Sequence, residues 1–290
     1  MGEPIDVVHA VALGFPLSTR KPLVVTIHDM GPLMHPEFFS MDRPWLTKLS
    51  LNRALKRADA IISVSRATAN DLEAYTGRRL GDRLRIVHEG VSSRFFEEPN
   101  FDSITVLADL PGPGVPFLLA AGQISPRKNI ARLIQAVAVL GDVIPHHLVL
   151  VGGCGWDSDD AQKAMRTTIV SDRIHNIGYV SDEQLHALYA AASVYVHPSL
   201  FEGFGLTVLE AMAAGCPVVT SKDGALAEVA GNDALLVDPY DVGSIAEAIQ
   251  ALCTDAALAE RLTARGRARA SDFTWERCAQ QVSAIYQDVM

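Results

Sequence analysis

No uninterrupted apolar run in the 290 residues approaches the roughly 18 that a membrane-spanning helix needs. The opening residues, MGEPIDVVHA, lack the basic start and apolar stretch of a secretory signal. Cysteine is scarce. Cys154, Cys216, Cys253 and Cys278 form no C-x-x-C pair and no metal-like spacing, the pattern of thiols packed as small apolar residues in a reducing compartment. A cytoplasmic location is therefore expected. Basic charge is also short: 25 Lys and Arg face 34 Asp and Glu, a net charge of -9. Broad nucleic-acid binding needs the opposite balance and is not expected, although a local basic pocket for a small anion remains open. Two signatures are missing as well. There is no G-x-S-x-G elbow of a serine hydrolase, and Gly152-Gly-Cys-Gly155 does not fit G-x-G-x-x-G.

What remains is a globular composition, 49% hydrophobic and 20% charged, long enough for about two domains. Short apolar runs at 23–27, 60–64, 85–88, 117–121, 147–151, 174–177, 194–197 and 217–220 read as parallel strands covered on both faces. Amphipathic stretches at 45–58, 67–75, 130–140, 182–191, 206–214 and 242–253 lie between them, so the fold class is α/β with doubly wound sheets. Residues 97–116 hold Pro99, Pro111, Gly112, Pro113, Gly114 and Pro116, a dense set of breakers that marks a boundary. The expected organisation is a first domain at 1–98, a linker at 99–116, a second domain at 117–272, and a last amphipathic helix at 273–290 crossing back to the first. Three strands precede the linker and five follow it, so the first domain is expected to be incomplete.

The most informative stretch runs His197-Pro-Ser-Leu-Phe-Glu-Gly-Phe-Gly-Leu-Thr-Val-Leu-Glu-Ala-Met-Ala-Ala-Gly-Cys-Pro-Val-Val-Thr220. Gly203 and Gly205 permit close backbone approach to a ligand. A helix starting near Leu206 presents free N–H groups and its positive dipole end, which suits phosphate or sugar hydroxyls. Glu210 sits one turn in and leans toward that mouth, while Glu202 lies in the loop. Two carboxylates beside a phosphate site make sense as acceptors for sugar hydroxyls. A second motif, Gly122-Gln-Ile-Ser-Pro-Arg-Lys-Asn-Ile, puts Arg127 and Lys128 at a helix mouth after a buried strand, where they could neutralise a diphosphate. A third, Val24-Val-Thr-Ile-His28-Asp29, ends a strand in His-Asp at the carboxyl edge, where Asp29 could orient the ring. Taken singly, each has a blander reading: a turn, a solvated basic pair, a structural histidine.

Together these stretches resemble the signature of family 4 (group 1) retaining glycosyltransferases, which have the GT-B fold of two Rossmann-like domains facing a cleft. The resemblance implies that Glu210 holds the ribose hydroxyls of a nucleotide sugar and Lys128 its diphosphate, with Arg127 as a second cation. Backbone amides around Gly203, Phe204, Gly205 and Leu206 would bind sugar hydroxyls and phosphate. Glu202 and His28 would lie beside the transferred sugar, so the catalytic residues by resemblance are His28, Lys128 and Glu202. Many members have arginine directly after the first glycine of the second motif; here that position is Gln123. Gly178-Tyr-Val180 sits where members cover the base. The donor would be a GDP- or UDP-linked hexose of mannose or glucose type, the acceptor a glycan or lipid-linked hydroxyl, and no metal or separate cofactor is expected. The basic amphipathic stretch 45–58 reads first as an ordinary surface helix packed on the sheet, with peripheral contact at the inner membrane surface as the lesser alternative. The glycine-rich loop that members carry near their N-terminus has no counterpart here, which leaves an alternative: a non-catalytic nucleotide-sugar-binding remnant, or a subunit completed by a partner.

Overall fold

The computed structural model describes residues 5–13, 18–39, 44–105, 110–112, 114–155 and 157–290. Residues 106–109 and Pro113 of the expected linker, and the first four residues of the expected first domain, lie outside the described residues. The chain divides into two compact units. One holds residues through Gly90 together with Glu202–Phe204 and Phe273–Met290; the other holds Val91–Phe201 and Gly205–Asp272.

The first unit is a four-stranded parallel sheet in the order β1 (Val8–Ala10), β2 (Leu23–Ile27), β3 (Ala60–Ser63), β4 (Leu84–Ile86). Its helices are the short α1 (Gly31–Met34), α2 (Pro44–Arg57) and α3 (Arg66–Thr76). Strand periodicity sorts β2 onto two faces. Leu23, Val25 and Ile27 join Leu51, Ala54 and Leu72 of α2 and α3 in one core. Val24 joins Ala60, Ile62, Val87 and Ile285 on the other side. Burial on both faces is why these strands read as continuous apolar runs. Ser65 caps α3 by accepting the Thr68 N–H, and Gly77 ends it in the left-handed conformation, φ 63°.

The second unit is a six-stranded parallel sheet built on β5 (Phe117–Ala121), β6 (His147–Val151), β7 (Ile174–Gly178), β8 (Val194–His197), β9 (Val218–Ser221) and β10 (Leu235–Val237). The spatial order is β10-β9-β8-β5-β6-β7. Its helices are α4 (Ile130–Leu140), α5 (Asp159–Thr167), α6 (Asp182–Ala191), α7 (Leu206–Ala213), α8 (Gly224–Ala230), α9 (Val242–Thr254) and α10 (Ala256–Ala270). The last helix, α11 (Trp275–Val289), belongs to the first unit. On α4, Ile130, Leu133, Ile134, Val137 and Leu140 recur at helical spacing and face the sheet core with Leu118, Leu148 and Val196. Each such fully buried aliphatic side chain contributes roughly 1.5–3 kcal/mol of transfer free energy.

The chain winds outward from β5 through β6 to β7, then restarts on the other side of β5 with β8, β9 and β10. The connections after β5 and β8 therefore leave their neighbouring strand ends in opposite directions, and the gap between them is the topological switch point where open α/β sheets bind ligands.

Candidate functional site

Two loops meet at that switch point. After β5 the chain turns through Gly122, whose φ of 124° suits glycine. It then enters a 3-10 turn, Pro126–Lys128. Lys128 is only 8% exposed. Its stem lies over Gly122: a Cβ there would sit 3.1 Å from Lys128 Cε. The turn is clamped to the loop after β8. The Leu200 N–H donates to the Arg127 carbonyl at 2.7 Å, and the Arg127 guanidinium reaches the Phe201 carbonyl at 3.4 Å. Asn129, buried in the left-handed conformation at φ 60°, donates through Nδ2 to the carbonyls of Pro198 (3.0 Å) and Pro239 (2.6 Å). Lys128 is thus held on both sides by side-chain and backbone bonds, with its Nζ 3.4 Å from His197 Nε2 at the end of β8.

The Gly152–Gly155 turn supports this loop from β6. A Cβ on Gly152 would overlap the Gly122 carbonyl, and one on Gly155 would sit 2.6 Å from Gln123 Cγ. The Ile124 N–H donates to the Gly153 carbonyl and the Gly155 N–H to the Ile124 carbonyl. These glycines serve close backbone packing rather than a dinucleotide fingerprint. At the end of β7, Gly178 adopts φ 72° and Tyr179 stands 87% exposed.

Helix α7 begins at Gly205, φ 119°, with no side chain capping its first turn. The Gly205 carbonyl accepts from Val208 and Leu209, so the amides of Leu206 and Thr207 precede the intrahelical ladder. Apolar residues on the rest of α7, including Val208, Leu209, Met212 and Ala213, anchor it to the sheet. Glu210 is half-buried and accepts a hydrogen bond from the Tyr189 hydroxyl of α6 at 3.1 Å. Burial pushes its carboxyl up to about 7; the Tyr189 hydrogen bond and the Arg94 charge oppose that shift. A carboxylate so placed gains from any hydroxyl that donates to it.

The remaining predicted residues belong to the first unit. Gly203 is an acceptor there: its carbonyl takes hydrogen bonds from Ser65 Oγ at 2.7 Å and Thr68 Oγ1 at 3.0 Å. A Cβ on Gly203 would overlap the His28 carbonyl oxygen. Phe204 is buried against the rings of His88 (5.9 Å) and Phe273 (6.1 Å), which also contact each other (5.5 Å). Glu202 is partly exposed beside them. His28 donates through Nε2 to the Val11 carbonyl at 2.8 Å and faces Glu89 through Nδ1 at 3.0 Å. The Glu89 contact raises its pKa above the ordinary histidine value, more than burial lowers it. The carboxylate that orients this ring is therefore Glu89, not Asp29. Asp29 Oδ1 instead accepts the Gly31 N–H at 2.8 Å, at the start of α1.

The structure thus brings Arg127, Lys128, Gly205, Leu206 and Glu210 into the second unit, at or next to the β5/β8 switch point. His28, Glu202, Gly203 and Phe204 are in the first. Sequence reasoning overlooked Asn129, His197, Tyr195, Tyr189 and Glu89. His197 opened the longest motif, but nothing in its spacing marked it as a partner of Lys128.

Comparison with known proteins follows the same two units. Residues 110–269 match the family profile described as glycosyl transferases group 1, and residues 2–95 match that of glycosyltransferase family 4. The O-antigen chain mannosyltransferase B of Escherichia coli is 35% identical over 91% of this chain and 70% of its own. The serotype-specific mannosyltransferase WbdA of the same species is 29% identical, over 88% of this chain and about a third (32%) of its own. Among solved structures, sucrose-phosphate synthase from Thermosynechococcus elongatus superposes with a TM-score of 0.75 at 28% identity, covering 93% of this chain and 68% of that one. HepE of Anabaena in complex with UDP-glucose gives 0.79 at 23% identity, covering 93% and 73%, a likeness of fold.

Proposed function

Because the chain belongs to the group 1 glycosyltransferases, hexosyltransferases of the GT-B fold, we propose that it moves a hexosyl group from a GDP- or UDP-linked donor to a hydroxyl of a glycan or lipid-linked acceptor, with retained anomeric configuration. Mannose is the favoured hexose, since the relatives at 35% and 29% identity are mannosyltransferases. Bacterial polysaccharide synthesis is the setting that fits the O-antigen enzyme among them.

The observation that carries the reading is the placement of Lys128. An ammonium held at 8% exposure at a sheet switch point, where the turn after β5 is tied to the loop leading to α7, is built for an anion. As the glycosidic bond breaks, negative charge grows on the departing diphosphate. Lys128 and the Leu206 and Thr207 amides stabilise that charge in a preorganised site, an effect worth about 10²–10³ in rate for a single donor. Arg127 adds positive potential nearby. Glu210 accepts from the ribose hydroxyls and so fixes the nucleoside end. His28 and Glu202 meet the transferred hexose in this reading. Neither is assigned as a nucleophile, because retention in this family implies attack from the face the leaving group departs.

A thermal-shift screen of nucleoside diphosphates and their sugars, followed by a transfer assay with a labelled hexose, tests the proposal. Stabilisation by a diphosphate of one base, with label appearing in an α-linked or β-linked product matching the donor anomer, is expected. Binding without turnover would make the chain a nucleotide-sugar-binding module instead. Stabilisation by none of the diphosphates would remove the reading.

A further inference from the structure

We propose that Glu89 is a positioning residue for transfer: with the Val11 carbonyl it holds the His28 ring protonated on both nitrogens, so His28 works as a donor-only ring and not as a base. This rests on the reading that His28 meets the transferred hexose. Three strands deliver the parts at their carboxyl ends. Val11 follows β1, His28 follows β2, and Glu89 lies just beyond β4. His28 Nε2 stands 2.8 Å from the Val11 carbonyl oxygen, and Nδ1 stands 3.0 Å from Glu89 Oε1. The imidazole is 49% exposed and the Glu89 side chain 15%.

A neutral imidazole has one donor nitrogen and one bare nitrogen. A carbonyl oxygen only accepts, so Nε2 must carry a proton. An ionised carboxylate also only accepts, so Nδ1 must carry one too. The alternative with the same proton count moves the second proton to Glu89, and the imidazole is the stronger base by about two units. The surrounding groups favour the same form. The Glu89 hydrogen bond, the Val11 carbonyl and the charges of Glu89 and Asp29 raise the His28 pKa against burial. His9 of β1 shifts the other way: burial first, then the His28 charge, keep it neutral. Its ring is taken up by the Tyr286 hydroxyl of α11 at 2.6 Å and Thr26 Oγ1 at 2.8 Å. Cys278, also on α11, stays a thiol because burial and then the Glu89 charge raise its pKa. The chemistry follows. A ring without a lone pair cannot take a proton from water, so no imidazole base at the hexose end diverts the donor to hydrolysis. Glu89 also balances the imidazolium, and the pair adds no net positive charge against the oxocarbenium-like charge that builds on the hexose. A neutral ring donates through one nitrogen only and would lose one of its two anchors.

Nitrogen-15 NMR of the histidine rings, with the pH profile of hexosyl transfer from the preferred donor, tests the inference on wild type, Glu89→Leu and Glu89→Asp. His28→Gln identifies the His28 signals among the nine histidines. In the wild type both His28 nitrogens are expected to be protonated at pH 6, with a deprotonation midpoint above 6.5. A bare His28 nitrogen at pH 6 overturns the inference without any variant having to fold. Glu89→Leu is expected to bring the midpoint to 6.5 or below, and Glu89→Asp to restore most of the rise. The doubly protonated ring is the working form, so transfer is held below the raised midpoint and falls as pH rises through it. In Glu89→Leu that falling limb moves down by the same interval, and donor hydrolysis relative to transfer rises by at least about threefold at pH 8. An equal loss of transfer at pH 6 and pH 8 makes Glu89 merely structural and overturns its positioning role. A midpoint that falls while the transfer profile stays in place overturns instead the reading that His28 serves the hexose.

Discussion

Nucleoside binding should tighten as pH rises through neutrality, and Glu210→Gln should abolish that dependence. Burial lifts the Glu210 carboxyl from 4.5 to about 7. At about 1.4 kcal/mol per unit, the free protein disfavours the ionised form by roughly 3 kcal/mol. Ribose hydroxyls donate to a carboxylate, so the bound state favours ionisation and pulls the pKa back down. Affinity then changes by up to about tenfold per unit below 7 and levels off above it; between pH 8 and pH 6 the fall is about tenfold. Calorimetry with a nucleoside, which has no phosphate to titrate, reads this directly, and proton release near pH 6.5 should accompany binding. The stability sign is opposite. The folded pKa is raised, so stability from the neutral carboxyl is fully present below about 4.5 and is lost as pH rises through about 7. Glu210→Gln should therefore melt higher than wild type at pH 8. An equal pH slope in the two proteins would refute the reasoning.

Gly203→Ala should reduce activity by at least tenfold or unfold the 202–204 loop, because its Cβ would overlap the His28 carbonyl; melting temperature and transfer rate together report which. Glu89→Gln should lower the His28 pKa, since the Glu89 contact is the largest cause of its rise. The stability from that pair is present below the ordinary value of 6.5 and lost as pH rises through the raised one, so the variant's deficit should be larger at pH 6 than at pH 9, as chemical denaturation would show. The exposed stripe of α2, Trp45, Lys48, Leu49, Asn52, Arg53 and Lys56, carries three cations and no acid at helical spacing. It should bind vesicles containing anionic lipid, and Lys48→Glu with Arg53→Glu should abolish sedimentation with them. Equal sedimentation with zwitterionic vesicles would remove the electrostatic argument.

The strands buried on both faces were legible because continuous apolar runs such as Phe117–Ala121 leave few alternatives. Val8–Ala10 and Leu235–Val237 escaped because three residues, one of them His9, carry too little pattern. The glycines at 203 and 205 read as points where a ligand approaches the backbone, whereas the neighbours a Cβ would meet there are protein atoms, the His28 carbonyl and a Leu226 methyl. The partners were not legible. His28 and Glu89 lie 61 residues apart in sequence, and Lys128 and His197 lie 69 apart. Such pairs are set by strand order, which local spacing does not encode. Tyr189 and Tyr195 are both fully buried and carry no motif, so only their hydroxyl contacts mark them out. Asp29 shows the converse error. Adjacency to His28 suggested an orienting carboxylate, but its side chain serves the backbone of α1.

The most direct measurement is a crystal structure of the chain with its preferred nucleoside diphosphate bound. The β-phosphate should lie within hydrogen-bond distance of Lys128 Nζ and the amides at the start of α7, with the ribose hydroxyls on Glu210. A nucleotide seated elsewhere, with Lys128 and Glu210 both untouched, would contradict the account.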